Sequence, residues 1–389
     1  MKNIFSSEKR ALFGLSFGHF TVDLYAAILT PLFPLITSKL GVNLATMSLV
    51  LSIGHMIASM MQPVFGFISD KLQHRIFMLW GLILCCVFVP LTIKANSVFV
   101  FAMFLILGMV GNAFFHPQVS ALIKDFNRKN PNLSRAMGIF LGLGTIGYAI
   151  GPYVSTYMVQ NFGQDSLLYL TWFGILACIF IYFFVPKIPE KEYVAKENFF
   201  NIMKEILKNK TCFYLTSVSV IKSAVSISFG TYIPFLLQKQ GFSLMEIGFI
   251  VTLFFIAGGF ATIFSAKIEN KIGANNVIVL SMLSILPLCV AFLLTFEKLK
   301  YFSIALFILT GFFILLSVGV LLVQAQKTMP KYTGVISGVM QGFSWGLGAL
   351  FLAPLGFVGE FWGVDKILIL MSLVAFLTGI YTLKHKCLD

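Results

Sequence analysis

Residues 11–37 read "ALFGLSFGHFTVDLYAAILTPLFPLIT", a stretch whose one full charge is Asp23. A spanning helix needs about 20 predominantly apolar residues, because in hydrocarbon every backbone N–H and C=O must find its partner inside the segment. The run meets that length. It is too long for the apolar region of a signal peptide and is followed by no small-residue cleavage site, so it reads as a retained spanning helix. Outward from it the pattern recurs at about 44–69, 76–95, 98–123, 135–161 and 166–186. After a polar stretch come six more runs, at about 212–238, 244–266, 275–296, 301–326, 332–358 and 364–383. The expected fold is an all-α membrane protein of twelve transmembrane helices in two pseudo-symmetric six-helix bundles.

Composition agrees. Of 389 residues 58% are hydrophobic and 11% charged, against about 45–50% and 25% in soluble domains. The net charge of +13 is spread over short loops with no basic stripe among stacking aromatics, which excludes a nucleic-acid partner. Its placement carries topology instead. With the N-terminus in the cytoplasm, 21 of the 28 Lys and Arg lie in inside segments, six lie outside, and Lys222 lies within a run. That bias predicts both termini inside and an even number of spans, in the inner cell membrane. The six cysteines show no metal-ligand spacing and no disulfide framework. No phosphate-binding loop, zinc-protease motif or nucleophile elbow is present, so neither ATP-driven pumping nor catalysis is expected, and no cofactor or metal.

The polar stretch "KIPEKEYVAKENFFNIMKEILKNKT" (187–211) divides the spans six and six. The expected domains are an N-terminal bundle 1–186, a cytoplasmic linker 187–211 and a C-terminal bundle 212–389. Phe199, Phe200, Ile202, Met203, Ile206 and Leu207 recur at helical spacing among lysines, as in an amphipathic helix on an anionic leaflet or a solvated linker helix. An internal repeat is legible too. Asp70 and Glu269 end the second and eighth spans, and Gly142–Gly144 and Gly346–Gly348 mark the fifth and eleventh.

Full charges inside spans are costly and functional by default. Asp23 in the first span and Lys222 in the seventh lie at similar depth, roughly 18 and 15 Å at about 1.5 Å per residue. His19 sits four residues before Asp23, on the same helix face, where imidazole and carboxylate can share a proton. In the fourth span Asn112 and His116 repeat that spacing just before Pro117. Gln324 lies near the inner end of the tenth span. In "GFISDKLQHR" (66–75), Gly66 permits close helix approach, and Asp70 with Lys71 and Arg75 forms a charge cluster able to latch and release the halves. "GLGTIGYAIGP" (142–152) sets Gly147, Gly151 and Pro152 among small residues for close packing and a bend.

Those features resemble the major facilitator superfamily. Its second-to-third loop signature, Gly-x-x-x-Asp-Arg/Lys-x-Gly-Arg/Lys-Arg/Lys, is matched by Gly66, Asp70, Lys71 and Arg75, with Gln73 and His74 departing. Gly147-x-x-x-Gly151-Pro152 looks like the start of the antiporter motif, with Ser155 and Thr156 at its closing glycines. "GHFTVDLYAAILTPLFPLI", "GNAFFHPQ", "KSAVSISFGTYIPFLL" and "QAQKTMPKYTGVISGVMQGFSWGLGAL" look like the fosmidomycin-resistance, drug-efflux branch. The resemblance implies that spans one, four, seven and ten line a central cavity and that the chain exports drug-like or anionic small molecules in exchange for protons. Asp23, His19 and His116 are then the proton-coupling set, and Lys222, Asp23, Asn112, His116, Tyr25 and Gln324 the substrate-binding set. The partners are a small-molecule substrate, protons and membrane lipid, with the chain acting as a monomer. Proton-coupled uptake of a small organic anion is the alternative on the same scaffold; a membrane sensor or intramembrane enzyme is a remote one.

Overall fold

The computed structural model describes residues 7–72, 76–126, 133–186, 199–330 and 333–385, and among them every regular element is helical. Twelve helices are long and apolar enough to cross a membrane, from Ser7–Leu40 to Val364–Lys384. The expected number of spans therefore holds. Two differ from the rest in burial: the most apolar window of the first span is 78% buried and that of the seventh, Lys210–Lys239, 83%, against 33–56% elsewhere. A spanning helix apolar on all sides faces lipid or protein equally well, so burial marks these two as the inner helices of their surroundings.

Several spans are broken where the sequence demands it. The first helix, Ser7–Ala27, gives way to a 3-10 turn at Thr30–Leu32 and a second helix, Phe33–Leu40. Pro31 and Pro34 supply the reason, since proline lacks the N–H and its ring collides with the carbonyl four residues back. In the eleventh span, helix Leu352–Trp362 starts after a break at Leu350 and Phe351, and Pro354 would clash with the carbonyl of residue 350 in a continuous helix. The same span carries a π turn at Val339–Phe343 between Thr333–Gly338 and Ser344–Ala349. The tenth span divides at Ser317, whose hydroxyl is 3.0 Å from Ser281 Oγ.

The chain forms two compact units. One comprises Met1–Leu40 and Ile57–Val194, the other Gly41–Met56 and Ala195–Asp389. The start of the second span thus belongs with the second unit, and the contacts say why. Leu44 N donates to Glu360 Oε2 at 2.9 Å, and Tyr232 Oη donates to Leu352 O at 2.8 Å and lies 2.9 Å from Ser48 Oγ. A Cβ on Gly356 would lie 2.6 Å from Ser48 Oγ, and one on Gly359 would lie 2.7 Å from Leu44 Cδ2. These two glycines form a shallow face on which the helix start rests.

The repeat is visible in the turns. Gly41 (φ 64°) and Gly241 (φ 78°) follow the first and seventh spans, and Gly163 (φ 81°) and Gly363 (φ 94°) follow the fifth and eleventh. Left-handed backbone of this kind is open to glycine at little cost, and each turn recurs two hundred positions later. In the linker, Phe199–Lys208 is helical as expected. Its Ile206 is 1% exposed while Leu207 is 58% exposed, so its apolar side is partly packed on protein. Asn209 separates this helix from the seventh span, its side chain accepting from Cys212 N at 2.9 Å.

Candidate functional site

In the first unit, the i,i+4 spacing of His19 and Asp23 on helix Ser7–Ala27 becomes a contact: His19 Nε2 lies 3.2 Å from Asp23 Oδ2. His116, from helix Val98–Phe126, places Nε2 3.2 Å from the other oxygen, Oδ1. One carboxylate is thus bracketed by two imidazoles. Exposure of the three side chains is 7% for His19, 16% for Asp23 and 26% for His116. His19 is held from its far side as well. Its Nδ1 is 2.9 Å from Phe140 O, its ring stacks on the Phe140 ring with centroids 4.2 Å apart, and the His116 ring meets it edge-on at 5.0 Å.

The Phe140 contact fixes a proton. A carbonyl oxygen only accepts, so His19 Nδ1 carries its hydrogen. Nε2 then has two states against Asp23: an imidazolium N–H donating to the carboxylate, or a lone pair accepting from the protonated acid. One proton moving between Oδ2 and Nε2 interconverts them, and His116 Nε2 serves the second oxygen. The arrangement can therefore pass a proton between carboxylate and imidazole without moving a helix. Donor atoms of these three residues lie within 4.8 Å of one another, a set that could hold a metal ion; here both Nε2 atoms are engaged by the carboxylate.

Two residues build this site that side-chain chemistry did not single out. Phe140 acts through its carbonyl and ring. Gly144 acts through what it lacks: a Cβ there would lie 2.6 Å from both ring nitrogens of His19. The glycine pattern at 142–144 was the available signal. Gly142 itself has open space around it.

The neighbouring glycines fit the packing expected of them. A Cβ on Gly147 would collide with the carbonyl oxygen of Phe20, and one on Gly151 would lie 2.7 Å from Leu24 O. Gly147 and Gly151 thus let the fifth span lie directly on the backbone of the first, and Gly144 leaves room for the His19 ring. Helix Leu133–Phe162 continues through Pro152, whose carbonyl accepts from Thr156 Oγ1 at 2.8 Å and Ser155 Oγ at 3.1 Å.

The expected substrate contacts divide. Asn112 is half-buried, one turn before His116. Lys222, in the second unit, is 2% exposed and pairs with no described carboxylate of that unit. Tyr25 and Gln324 each hold a partner within the protein. Tyr25 is fully buried and its hydroxyl donates to Leu170 O. Gln324 Nε2 donates to Glu269 Oε1 at 2.7 Å, tying the tenth span to the end of the eighth. Gly66, Asp70 and Lys71 lie on helix Leu44–Leu72, with side chains outside the described set, and Arg75 lies outside the described residues.

Comparison with known proteins places this architecture. Residues 15–353 match the family model described as Major Facilitator Superfamily, and the chain belongs to that superfamily. It is a multi-pass membrane transporter, not an enzyme. Among curated relatives, the chain is 24% identical to the fosmidomycin resistance protein of Escherichia coli (strain K12), covering 96% of this chain and 94% of that one. It is also 24% identical to the multidrug resistance protein MdtG of Yersinia enterocolitica, over 72% of this chain and 71% of that one. A crystal structure of a mutant of the nucleoside transporter NupG superposes with a TM-score of 0.80 at 13% identity, covering 99% of this chain and 100% of that one. At that identity the likeness shows the fold, and one fold serves many substrates.

Proposed function

We propose that the protein is a proton-coupled antiporter that exports drug-like or anionic small molecules by alternating access. The carrying observation is the Asp23 carboxylate held between His19 and His116, with the His19 tautomer set by Phe140. Halves 1–186 and 212–389, joined by the linker 187–211, rock about the substrate, with Gly66, Asp70, Lys71 and Arg75 as the latch. Both termini face the cytoplasm, and the chain works as a monomer in the inner membrane.

The cycle follows from competition. A proton arriving from outside neutralises Asp23, assisted by His19 and His116, and is given up inside. The solute then takes the deprotonated centre: its own donors bind the Asp23 carboxylate, with Asn112 as a further polar contact. A proton on Asp23 removes that acceptor, so each occupant displaces the other. A ligand shifts an equilibrium only through its differential affinity for the two states, and this exclusion supplies the difference. The names of two relatives, resistance proteins to fosmidomycin and to multiple drugs, support export. So does the stretch resembling the start of the antiporter motif, whose Gly147 and Gly151 seat closely on the first span.

Reconstituted vesicles test this. With fosmidomycin among a panel of solutes, an imposed pH gradient drives solute against the proton flux. Asp23→Asn, which removes the acceptor permanently, lowers both gradient-driven flux and solute exchange without a gradient, each about tenfold or more. Wild-type rate and gradient response in Asp23→Asn would overturn the coupling; solute moving with the protons would replace export by uptake.

A further inference from the structure

Among the described residues, one group of metal-ligating side chains converges on a point: His19, Asp23 and His116, from the first and fourth spans. Two imidazoles and a carboxylate so placed are a set of metal ligands as well as a proton relay. The distances suit coordination. Zinc holds nitrogen and oxygen ligands at about 2.0–2.1 Å, so neighbouring ligand atoms of a tetrahedral shell stand about 3.3–3.4 Å apart. His19 Nε2 lies 3.2 Å from Asp23 Oδ2, and His116 Nε2 lies 3.2 Å from Oδ1. Each ring nitrogen thus already stands at a ligand-to-ligand spacing from the carboxylate. Further adjustment falls to His116, the most exposed side chain of the three.

His19 is also oriented as a metal ligand is. Its Nδ1 is 2.9 Å from Phe140 O, which leaves Nε2 for the ion. Metal-bound histidines almost always donate their other ring N–H to a carbonyl, a carboxylate or water, and that contact fixes the tautomer and the ring plane. We propose that the protein binds one divalent transition-metal cation of the zinc class through His19 Nε2, His116 Nε2 and the Asp23 carboxylate, as an inhibitor and not as a cofactor. Imidazole nitrogens suit zinc, cobalt, nickel or copper, whereas magnesium and calcium take shells of oxygen. Asp23 and His116 are partly exposed, at 16% and 26%, which gives the ion a side from which to enter and room for a water as a further ligand. A bound dication engages the carboxylate and both ring nitrogens between which a proton would pass. The binding stands on the geometry alone; the inhibition rests on the coupling reading above.

The test uses the purified full-length protein in lipid nanodiscs, with Co²⁺ as probe, because four-coordinate Co²⁺ absorbs visible light far more strongly than the hydrated six-coordinate ion. The wild type is expected to bind one equivalent with that enhanced absorption. Zn²⁺ displaces it, and a large excess of Mg²⁺ does not. X-ray absorption of the zinc-loaded wild type, which needs no variant, shows two imidazoles and no sulfur around the metal. His19→Gln and His116→Gln each weaken Co²⁺ about a hundredfold or more, since loss of a ligand costs at least as much as loss of a ligand's hydrogen-bond partner. His55→Gln, on helix Leu44–Leu72, leaves the affinity unchanged. A wild type without the enhanced absorption, sulfur around the zinc, or unchanged affinity in His19→Gln would overturn the metal site. Gradient-driven solute flux in vesicles separates this from the coupling reading. Flux arrested by Zn²⁺ supports both. Co²⁺ bound at these ligands, with flux undiminished at saturating Zn²⁺, overturns the inhibition and the passage of protons through Asp23, and leaves the site standing.

Discussion

Asp23 lies between two imidazoles, and the least conspicuous residue that keeps it so is Gly144. A methyl group there has no room beside the His19 ring, so Gly144→Ala pushes the imidazole off Phe140 O and breaks the tautomer lock. Overpacking of this sort costs about 1–3 kcal/mol. The expected outcome is a lowered Tm together with weakened gradient-driven transport, measured on the same preparation. If Gly144→Ala has wild-type stability and pH response, the contact does not hold His19. At this scale the sequence was legible where side chains carry the chemistry: His19, Asp23 and His116 stand out by charge and four-residue spacing. Phe140 did not, because a backbone carbonyl leaves no trace in residue identity. The partners of Tyr25 and Gln324 left no trace for a related reason. Residue type shows that a polar tip wants a partner, not that Leu170 O or Glu269 will be that partner.

Helices pack here by missing side chains. Gly147 and Gly151 bring the fifth span onto the first, and Gly356 and Gly359 receive the start of the second span. In lipid the hydrophobic effect does not join helices, so such close approaches do. Gly147→Leu drives a bulky side chain into the carbonyl of Phe20, and the variant is expected to be recovered as aggregate by size-exclusion chromatography. Glu360 acts differently. By accepting from Leu44 N it caps the first turn of helix Leu44–Leu72 from another helix, beside Asn43, whose Oδ1 accepts from Thr46 N at 2.9 Å. Capping carboxylates contribute about 0.5–2 kcal/mol. Glu360→Ala is therefore expected to lower the Tm in detergent, and an unchanged Tm would show that the cap adds nothing. Breaks fall at Pro31, Pro34 and Pro354, but proline alone does not locate them, since helix Leu133–Phe162 runs through Pro152. The π turn at Val339–Phe343 was not legible either, since no residue type specifies an extra residue in a helical turn.

The twelve spans were present in hydropathy, because the bilayer allows few ways to satisfy a backbone. The grouping of Gly41–Met56 with the second unit was not, since which helix a span rests on depends on shape rather than apolarity. At the scale of the whole molecule the proposed coupling is that a proton and a solute exclude one another at Asp23. It is tested most directly by adding a transported solute to the detergent-solubilised protein in unbuffered solution and reading the pH. Solute binding is expected to release protons into the medium from the wild type, as the solute displaces them from the Asp23 centre, and to release none from Asp23→Asn. Solute binding to the wild type with no change in proton content, or an equal release from Asp23→Asn, would contradict it.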